Sequence, residues 1–162
     1  MNKIDLAYIA GLVDGEAYIG IKKDGSLQNG RVNPGYHERI QIRMVNEEAI
    51  KFIADNLGGN YYKEKPSAEN GRPLFCYQAS DKLAANILTI LLPYLRIKKE
   101  VAKYVLELRE RKDNPDTIIV QVEQKSRWGT MMKSGRSRHS PEEVEARKLL
   151  YQRCKEINKV GI

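Results

Sequence analysis

The residues best placed to do chemistry lie near the N-terminus, at Asp14-Gly15-Glu16. They follow a run from Ile4 to Val13 whose apolar residues fall at helical spacing. Ile4, Tyr8 and Leu12 share one face, and Ile9 and Val13 the next. A helix ending at Asp14-Gly15-Glu16 presents unpaired carbonyls and the negative end of its dipole, which together attract a cation. Glu16 adds a formal carboxylate there. Carbonyl and carboxylate oxygens, completed by water, suit Mg²⁺ or Ca²⁺. The same residues also fit an ordinary helix end with two solvated acids, and spacing alone leaves both readings open. Ala7, Gly11 and Gly15 recur at every fourth position, so one ridge of the helix is almost bare. Such a ridge admits a second backbone; without that use, a mid-helix Gly costs ~1 kcal/mol relative to Ala.

With 162 residues, the chain reads as one domain, residues 1–162, able to bury a core without staples. Lys and Arg number 28 against 21 Asp and Glu, a formal net charge of +7, which favours a polyanionic partner. Cys76 and Cys154 are too few and too far apart for a disulfide framework or a cysteine zinc site, and His37 and His139 are equally isolated. A metal here would be held by oxygen, which points to Mg²⁺ rather than zinc. No apolar run reaches the ~18 residues of a membrane span, and no signal segment is apparent, so an intracellular protein without membrane partners is expected. Nothing suggests a small-molecule cofactor.

The elements that must position Glu16 follow in order. Ala17 to Lys23 alternates as a half-buried strand, and a polar connection rich in turn residues leads to a second strand, Tyr36 to Met44. There Ile40, Ile42 and Met44 face one way and Arg39, Gln41 and Arg43 the other. Asn46 caps a helix that Gly58-Gly59 ends. Strands near Asn60–Lys65 and Leu74–Ala79 flank a hairpin loop. Asp81 caps a helix from Lys82 to Leu92, and a longer helix starts near Arg96 or Ile97 and reaches Arg111. This order predicts an α+β domain, αββαββα, with a four-stranded antiparallel sheet and helices on one face.

The open face of that sheet is expected to carry Lys22, Arg39, Gln41, Arg43, Lys63, Lys65 and Arg72. Aligned like charges destabilise a sheet unless a polyanion neutralises them. Arg and Gln also read guanine and adenine edges by paired hydrogen bonds, so such a face fits the major groove of DNA. Past the core (about residues 4–112), a short helix is expected over Thr117–Lys125. The stretch from Lys125 to Ser140 holds Lys125, Arg127, Lys133, Arg136 and Arg138 and no acid, which reads as a flexible, phosphate-docking loop. Ser140-Pro141-Glu142-Glu143 is a capping box opening a last helix.

Ile9-Ala10-Gly11-Leu12-Val13-Asp14-Gly15-Glu16-Ala17 resembles the nine-residue signature of the LAGLIDADG homing endonucleases, departing from it at the final Gly, here Ala17. Leu92-Pro93-Tyr94-Leu95-Arg96-Ile97-Lys98-Lys99 is similar to a second stretch of that family, whose last Lys lies near the scissile phosphate. That maps onto Lys98, with Lys99 as its nearest competitor. The resemblance covers about Leu6 to Lys112 well and the C-terminal region loosely. There is one motif and no internal repeat.

The resemblance implies an intron-encoded, homodimeric, site-specific endonuclease. It would make a double-strand break in a long, near-palindromic double-stranded DNA target. The motif helices of two protomers would pack together through Ala7, Ala10, Gly11 and Asp14. Glu16, with the Gly15 carbonyl, would hold Mg²⁺ or Mn²⁺, Ca²⁺ binding without supporting cleavage, and Lys98 would stabilise charge on the phosphate. Asp14 reads as mainly structural. The family tends to carry a solvent-organising polar residue at the end of the second strand. Met44 stands about there, with Gln41 and Arg43 as substitutes. Ala17 is strained if its position needs a positive φ and harmless if it already enters the strand. The alternative reading keeps the scaffold without the chemistry: a catalytically inactive nucleic-acid binder, such as an RNA maturase or a regulator.

Overall fold

The computed structural model of the chain describes residues 1–24, 33–66, 71–125 and 131–160, apart from the side chains of Gln124, Lys125 and Met132. Helix α1 (Lys3–Glu16) runs straight into strand β1 (Ala17–Lys23). Strand β2 (Tyr36–Met44), helix α2 (Glu47–Leu57), strands β3 (Asn60–Glu64) and β4 (Leu74–Ser80) and helices α3 (Asp81–Leu91) and α4 (Lys99–Asp113) follow. Beyond them come strands β5 (Thr117–Lys125) and β6 (Met131–His139) and helix α5 (Pro141–Val160). The first four strands form one antiparallel sheet in the order β1-β2-β4-β3.

Register follows from strict alternation on β1 and β2. Ala17, Ile19 and Ile21 pair with Ile42, Ile40 and Glu38. Ile40 and Ile42 pair in turn with Ala79 and Tyr77. Helices cover this face with Ile9 and Val13 of α1, Ile50 and Ile53 of α2, Ile87 and Leu88 of α3, and Val101, Val105 and Leu108 of α4, all buried. Asn46 caps α2 by accepting from the Ala49 N–H at 3.0 Å. Gly58 and Gly59 end that helix at φ 77° and 92°, which only glycine adopts without strain. The buried Tyr77 hydroxyl donates to the Gly58 carbonyl at 2.7 Å.

Three departures from the sequence reading have physical causes. Helix α4 starts at Lys99, after Arg96 and Lys98 have given their backbone N–H groups to Asp14 at 2.7 and 2.9 Å. Asp81 does not cap α3. It is the first helical residue, at φ 54°, and Lys112 and His37 reach its carboxylate at 2.9 Å each. Burial alone would raise the Asp81 carboxyl, but those two partners hold it below the usual value.

The third departure is C-terminal. Thr117–Lys125 is a strand, not a helix, and the described part of the expected loop is its partner strand. Thr117, Ile118, Ile119, Val120 and Val122 are β-branched and suit a pleated backbone better than a helix. Gly135 serves packing here: a Cβ at that position would meet Ile119 at 2.9 Å. Half of the capping box forms: the Ser140 hydroxyl accepts from the Glu143 N–H at 3.1 Å, but the Glu143 carboxylate turns to Arg111 and Arg147, and the Ser140 N–H donates instead to the Asp116 carbonyl at 3.0 Å. Helix α5 buries Leu150 and Cys154, and the Asn158 side chain donates to the Ile19 carbonyl at 2.9 Å, closing the outer edge of β1. Burial pushes the Cys154 thiol up to about 12. No described helix is long and apolar enough to cross a membrane.

On the helix-covered face Glu38 is fully buried, with Lys112 Nζ at 2.6 Å and the Arg109 guanidinium at 3.4 Å. Removing one partner of a buried ion pair strands the other charge. Lys112→Met is expected to destabilise the protein by about 3 kcal/mol in urea titration. A change within experimental error would show that Arg109 alone neutralises Glu38. Because the Asp81 carboxyl is held low in the fold, its contribution is present above the unfolded value and is lost as pH falls through the folded one. Acid titration should therefore show less loss below pH 3.8 in Asp81→Asn than in the parent protein.

Candidate metal-binding helix end and nucleic-acid interface

Helix α1 buries Ile9, Ala10 and Val13 against the protomer's own core. Ala10 is 1% exposed, so its side chain serves that core and is not free for the expected contact between protomers. The opposite side is different. Ile4 and Tyr8 are 80% and 52% exposed, Ala7 and Gly11 are exposed, and a Cβ on Gly11 or Gly15 would meet nothing within 4 Å. Nothing among the described residues therefore requires glycine at position 11. Ala7, Gly11 and Asp14 border a cleft of about 510 Å³ shared with Pro93, Tyr94 and Lys99.

At the carboxyl end of α1 the two sequence stretches meet. Asp14 holds the Pro93–Lys98 segment through the two backbone bonds already described, in keeping with a structural role. The buried Lys98 ammonium then turns back and donates to the Val13 carbonyl at 3.0 Å. Lys98 stands at the N-cap of α4, where a cation is disfavoured, yet its charge sits at the negative end of α1, where it is favoured. Burial lowers the Lys98 ammonium below its usual value, with Asp14 and Glu16 pulling the other way. Lys99 is exposed, so Lys98 is the lysine directed at the helix end.

Glu16 is exposed and makes no hydrogen bond or close ion pair among the described residues, while its charge still reaches Lys98. Its successor settles the strain question: Ala17 has φ −82° and ψ 145°, ordinary extended backbone, and packs into the core. Alanine there costs nothing.

The donor set can be tested against a divalent cation. One free carboxylate and the last carbonyls of α1, Gly15 included, are hard oxygen donors of the kind Mg²⁺ takes. Among the described residues no cluster of three or more Asp, Glu, His or Cys side chains offers a complete shell. The helix end therefore fits an ion that keeps water and substrate oxygens as its remaining ligands, which is the habit of Mg²⁺.

The open face of the sheet carries Tyr18, Lys22, Arg39, Gln41, Arg43, Tyr62, Cys76 and Gln78 by register. Arg39 donates to Gln78 at 2.7 Å and to Gln41 at 3.2 Å, and Gln41 donates to the Cys76 sulfur at 3.1 Å. Arg43 pairs with Glu64 at 3.1 Å. Tyr18 lies over Gly20, where a Cβ would meet its hydroxyl at 2.5 Å. Met44 is on the other face, packed against the core, so it cannot organise solvent here; Arg43 and Gln41 do border this surface. Lys63 is also displaced. It pairs with Phe75 on the helix-covered face, its ammonium 6.0 Å from that ring, because Tyr62 takes the open-face position. Lys65 and Arg72 are exposed beyond the strand ends.

The C-terminal cations do not form one patch. Arg136 and Arg138 share a face of the β5–β6 hairpin and line a cleft of about 500 Å³ with Asn33, Pro34 and Gly35. Lys133 projects from the other face, 3.3 Å from Glu123. Lys125 ends β5, and Arg127 lies outside the described residues. Sequence reading missed Gln78 and Tyr62 on the open face; alternation along β4 from the core residue Tyr77 would have found Gln78, whereas Tyr62 depends on the β3–β4 register.

No family model matches the sequence, and no curated protein does. Solved structures do match. The homing endonuclease I-CvuI, in complex with the I-CreI target, is 18% identical, with a TM-score of 0.66 over 96% of this chain and 82% of that one. The archaeal intron-encoded homing endonuclease I-Vdi141I, complexed with DNA, is 19% identical, with a TM-score of 0.54 over 68% of this chain and 70% of that one. The LAGLIDADG homing endonuclease I-LtrWI, bound to target DNA, is 20% identical, with a TM-score of 0.55 over 70% of this chain and 39% of that one. Shared topology at such low identity establishes architecture: the chain has the fold of the LAGLIDADG homing endonucleases.

Proposed function

We propose that the protein is a site-specific DNA endonuclease that works as a homodimer and makes a metal-dependent double-strand break at a long, near-palindromic target. One observation carries this reading. Asp14 gathers an unpartnered Glu16 carboxylate and the Lys98 ammonium at one helix end, beside a sheet face bearing Arg39, Gln41 and Arg43. The fold, shared with solved complexes of homing endonucleases and DNA, supports it.

Glu16 and the Gly15 carbonyl would hold Mg²⁺ or Mn²⁺, and such an ion polarises a phosphate and acidifies a bound water. Lys98 spends one proton on the Val13 carbonyl and keeps two to donate to a non-bridging phosphate oxygen as negative charge builds there. The low-dielectric pocket that lowers its pKa also strengthens that donation. Arg39, Gln41 and Arg43, prearranged by Gln78, Cys76 and Glu64, would read base edges in the major groove, with Lys22 on phosphates. Lys65, Arg72, Arg136 and Arg138 would extend the phosphate contacts.

Two strands need two active sites, and the bare side of α1 suits a two-fold partner. A second α1 crossing at Ala7 and Gly11 would cover Ile4 and Tyr8 and bring two Glu16 carboxylates near the axis, where a divalent ion offsets their repulsion. I-LtrWI fits this arrangement: this chain matches 39% of it, which leaves room for a second such unit in one chain.

The first test is cleavage of the uninterrupted host sequence flanking the reading frame, with Mg²⁺ and with Ca²⁺ as a binding-only control. Glu16→Gln should abolish cutting and leave DNA binding within about twofold. Equal loss of both would make Glu16 structural, and tight binding without cutting by the parent protein would move it to the binder class. Gly11→Leu should convert dimer to monomer in analytical ultracentrifugation, and an unchanged dimer would refute the α1 interface. Cutting by the parent enzyme should decline on the alkaline side at a pH below the ordinary lysine value of 10.5, as Lys98 loses its proton. Lys98→Arg, which keeps its charge, should move that limb upward. An identical limb in the two proteins would remove Lys98 from the reaction.

A further inference from the structure

Helix α5 does more than close the edge of the sheet. Leu150 and Cys154 face the core and Asn158 holds the Ile19 carbonyl, which fixes the rotation of the helix about its axis. That rotation places Tyr151 and Lys155 on the rim of the open sheet face. With Tyr18, Lys22, Lys23 and Arg39 they line a cleft of about 540 Å³ between α5 and β1. None of its lining residues is acidic. Lys22, Lys23 and Lys155 are exposed, and none has an ion-pair or hydrogen-bond partner among the described residues. Three basic residues nearer the start and middle of α5 are occupied: Arg147 pairs with Glu143 at 2.7 Å, Lys148 with Glu145 at 3.1 Å, and Arg153 stacks 5.6 Å from the Tyr104 ring, while Lys159 in the last turn lies outside the cleft.

Three uncompensated ammonium groups around a concave surface repel one another unless an anion sits among them. Tyr151 adds a hydroxyl, held in place by ring contact with Tyr36 at 5.9 Å. The cleft is continuous with Arg39, whose own hydrogen bonds lie on the open face. An extended polyanion resting on that face would run its backbone over this rim.

We propose that the α5–β1 cleft is a phosphate site, in which Lys155 and Tyr151 of the last helix, with Lys22 and Lys23, hold the backbone of the DNA strand that lies along β1. This deepens the DNA-binding reading and rests on it. The last helix thereby belongs to the nucleic-acid interface, outside the sheet and the hairpin.

The phosphate term is independent of sequence, so mixed-sequence duplex DNA serves as the probe, with affinity measured across a range of KCl concentrations in Ca²⁺. Lys155→Gln should reduce the slope of log K against log salt by ~0.9 per occupied cleft. Lys82→Gln, on α3, removes the same charge away from the cleft and should leave the slope unchanged. Because Lys155 is exposed, unchanged thermal unfolding is expected in the variant, which separates lost contact from lost fold. A parent slope retained by Lys155→Gln would overturn the cleft while leaving DNA binding in place. An equal fall in Lys82→Gln would also overturn it, since the effect would then be net charge alone. Absence of salt-sensitive DNA binding by the parent protein would overturn the DNA reading and the cleft with it.

Discussion

Two hydrogen bonds to one carboxylate decide how this chain is put together at its functional end. Asp14 accepts from the backbone N–H groups of Arg96 and Lys98, more than eighty positions further along the sequence. Charge-assisted bonds of this kind are roughly twice as strong as neutral ones, and their donors are the N-cap residue of α4, Lys98, and Arg96 two positions before it. One side chain from the last turn of α1 thus anchors the chain as it enters α4. The geometry of Glu16 and Lys98 follows from it, because Lys98 is itself anchored and Glu16 is two residues from Asp14. Neither side chain needs a hydrogen bond to the other to be held in common.

The sheet repeats this economy in another form. The buried part of its helix-covered face is apolar except for Glu38, whose charge is matched by Lys112 and Arg109 of α4. Its open face is a hydrogen-bonded lattice in which Arg39, Gln41, Arg43, Gln78 and Cys76 fix one another's directions. Side chains already ordered in the free protein lose less rotamer freedom on binding, which favours selectivity over adaptability. The unpartnered lysines at the rim have the opposite character and suit contacts that need charge more than direction.

What could be read from the sequence was what depends on neighbours a few residues away. Asn46 as a cap, Gly58 as a stop, and the opposition of Ile40 and Ile42 to Arg39 and Gln41 are local patterns, and each holds. Thr117–Lys125 was legible as well, since its β-branched run contradicts a helix; the surrounding polar residues obscured it. Lys63 was misplaced because β3 is short and its facing is set by its pairing with β4, where Tyr61 lies opposite the core residue Tyr77 and Lys63 opposite Phe75. The direction of the Lys98 ammonium was not legible at all. It depends on where α1 ends relative to α4, a long-range relation that no spacing encodes. The same holds for Tyr151 and Lys155, which look like ordinary helix-surface residues until α5 is seated on β1.

The way the sheet ends on either side restricts how copies of the molecule can meet. Along β1 the seated helix α5 occupies the edge, and Asn158 consumes a carbonyl that a foreign strand would need. At the other margin β3 is five residues long and carries Lys63 and Glu64, the kind of short, charged border that resists strand addition. Edge-to-edge growth is therefore obstructed at both margins. The side of α1 that carries Ile4, Ala7, Tyr8 and Gly11 has no such guard, so the proposed two-fold partner would meet it by helix packing, which closes after two copies, and not by sheet extension, which need not close at all.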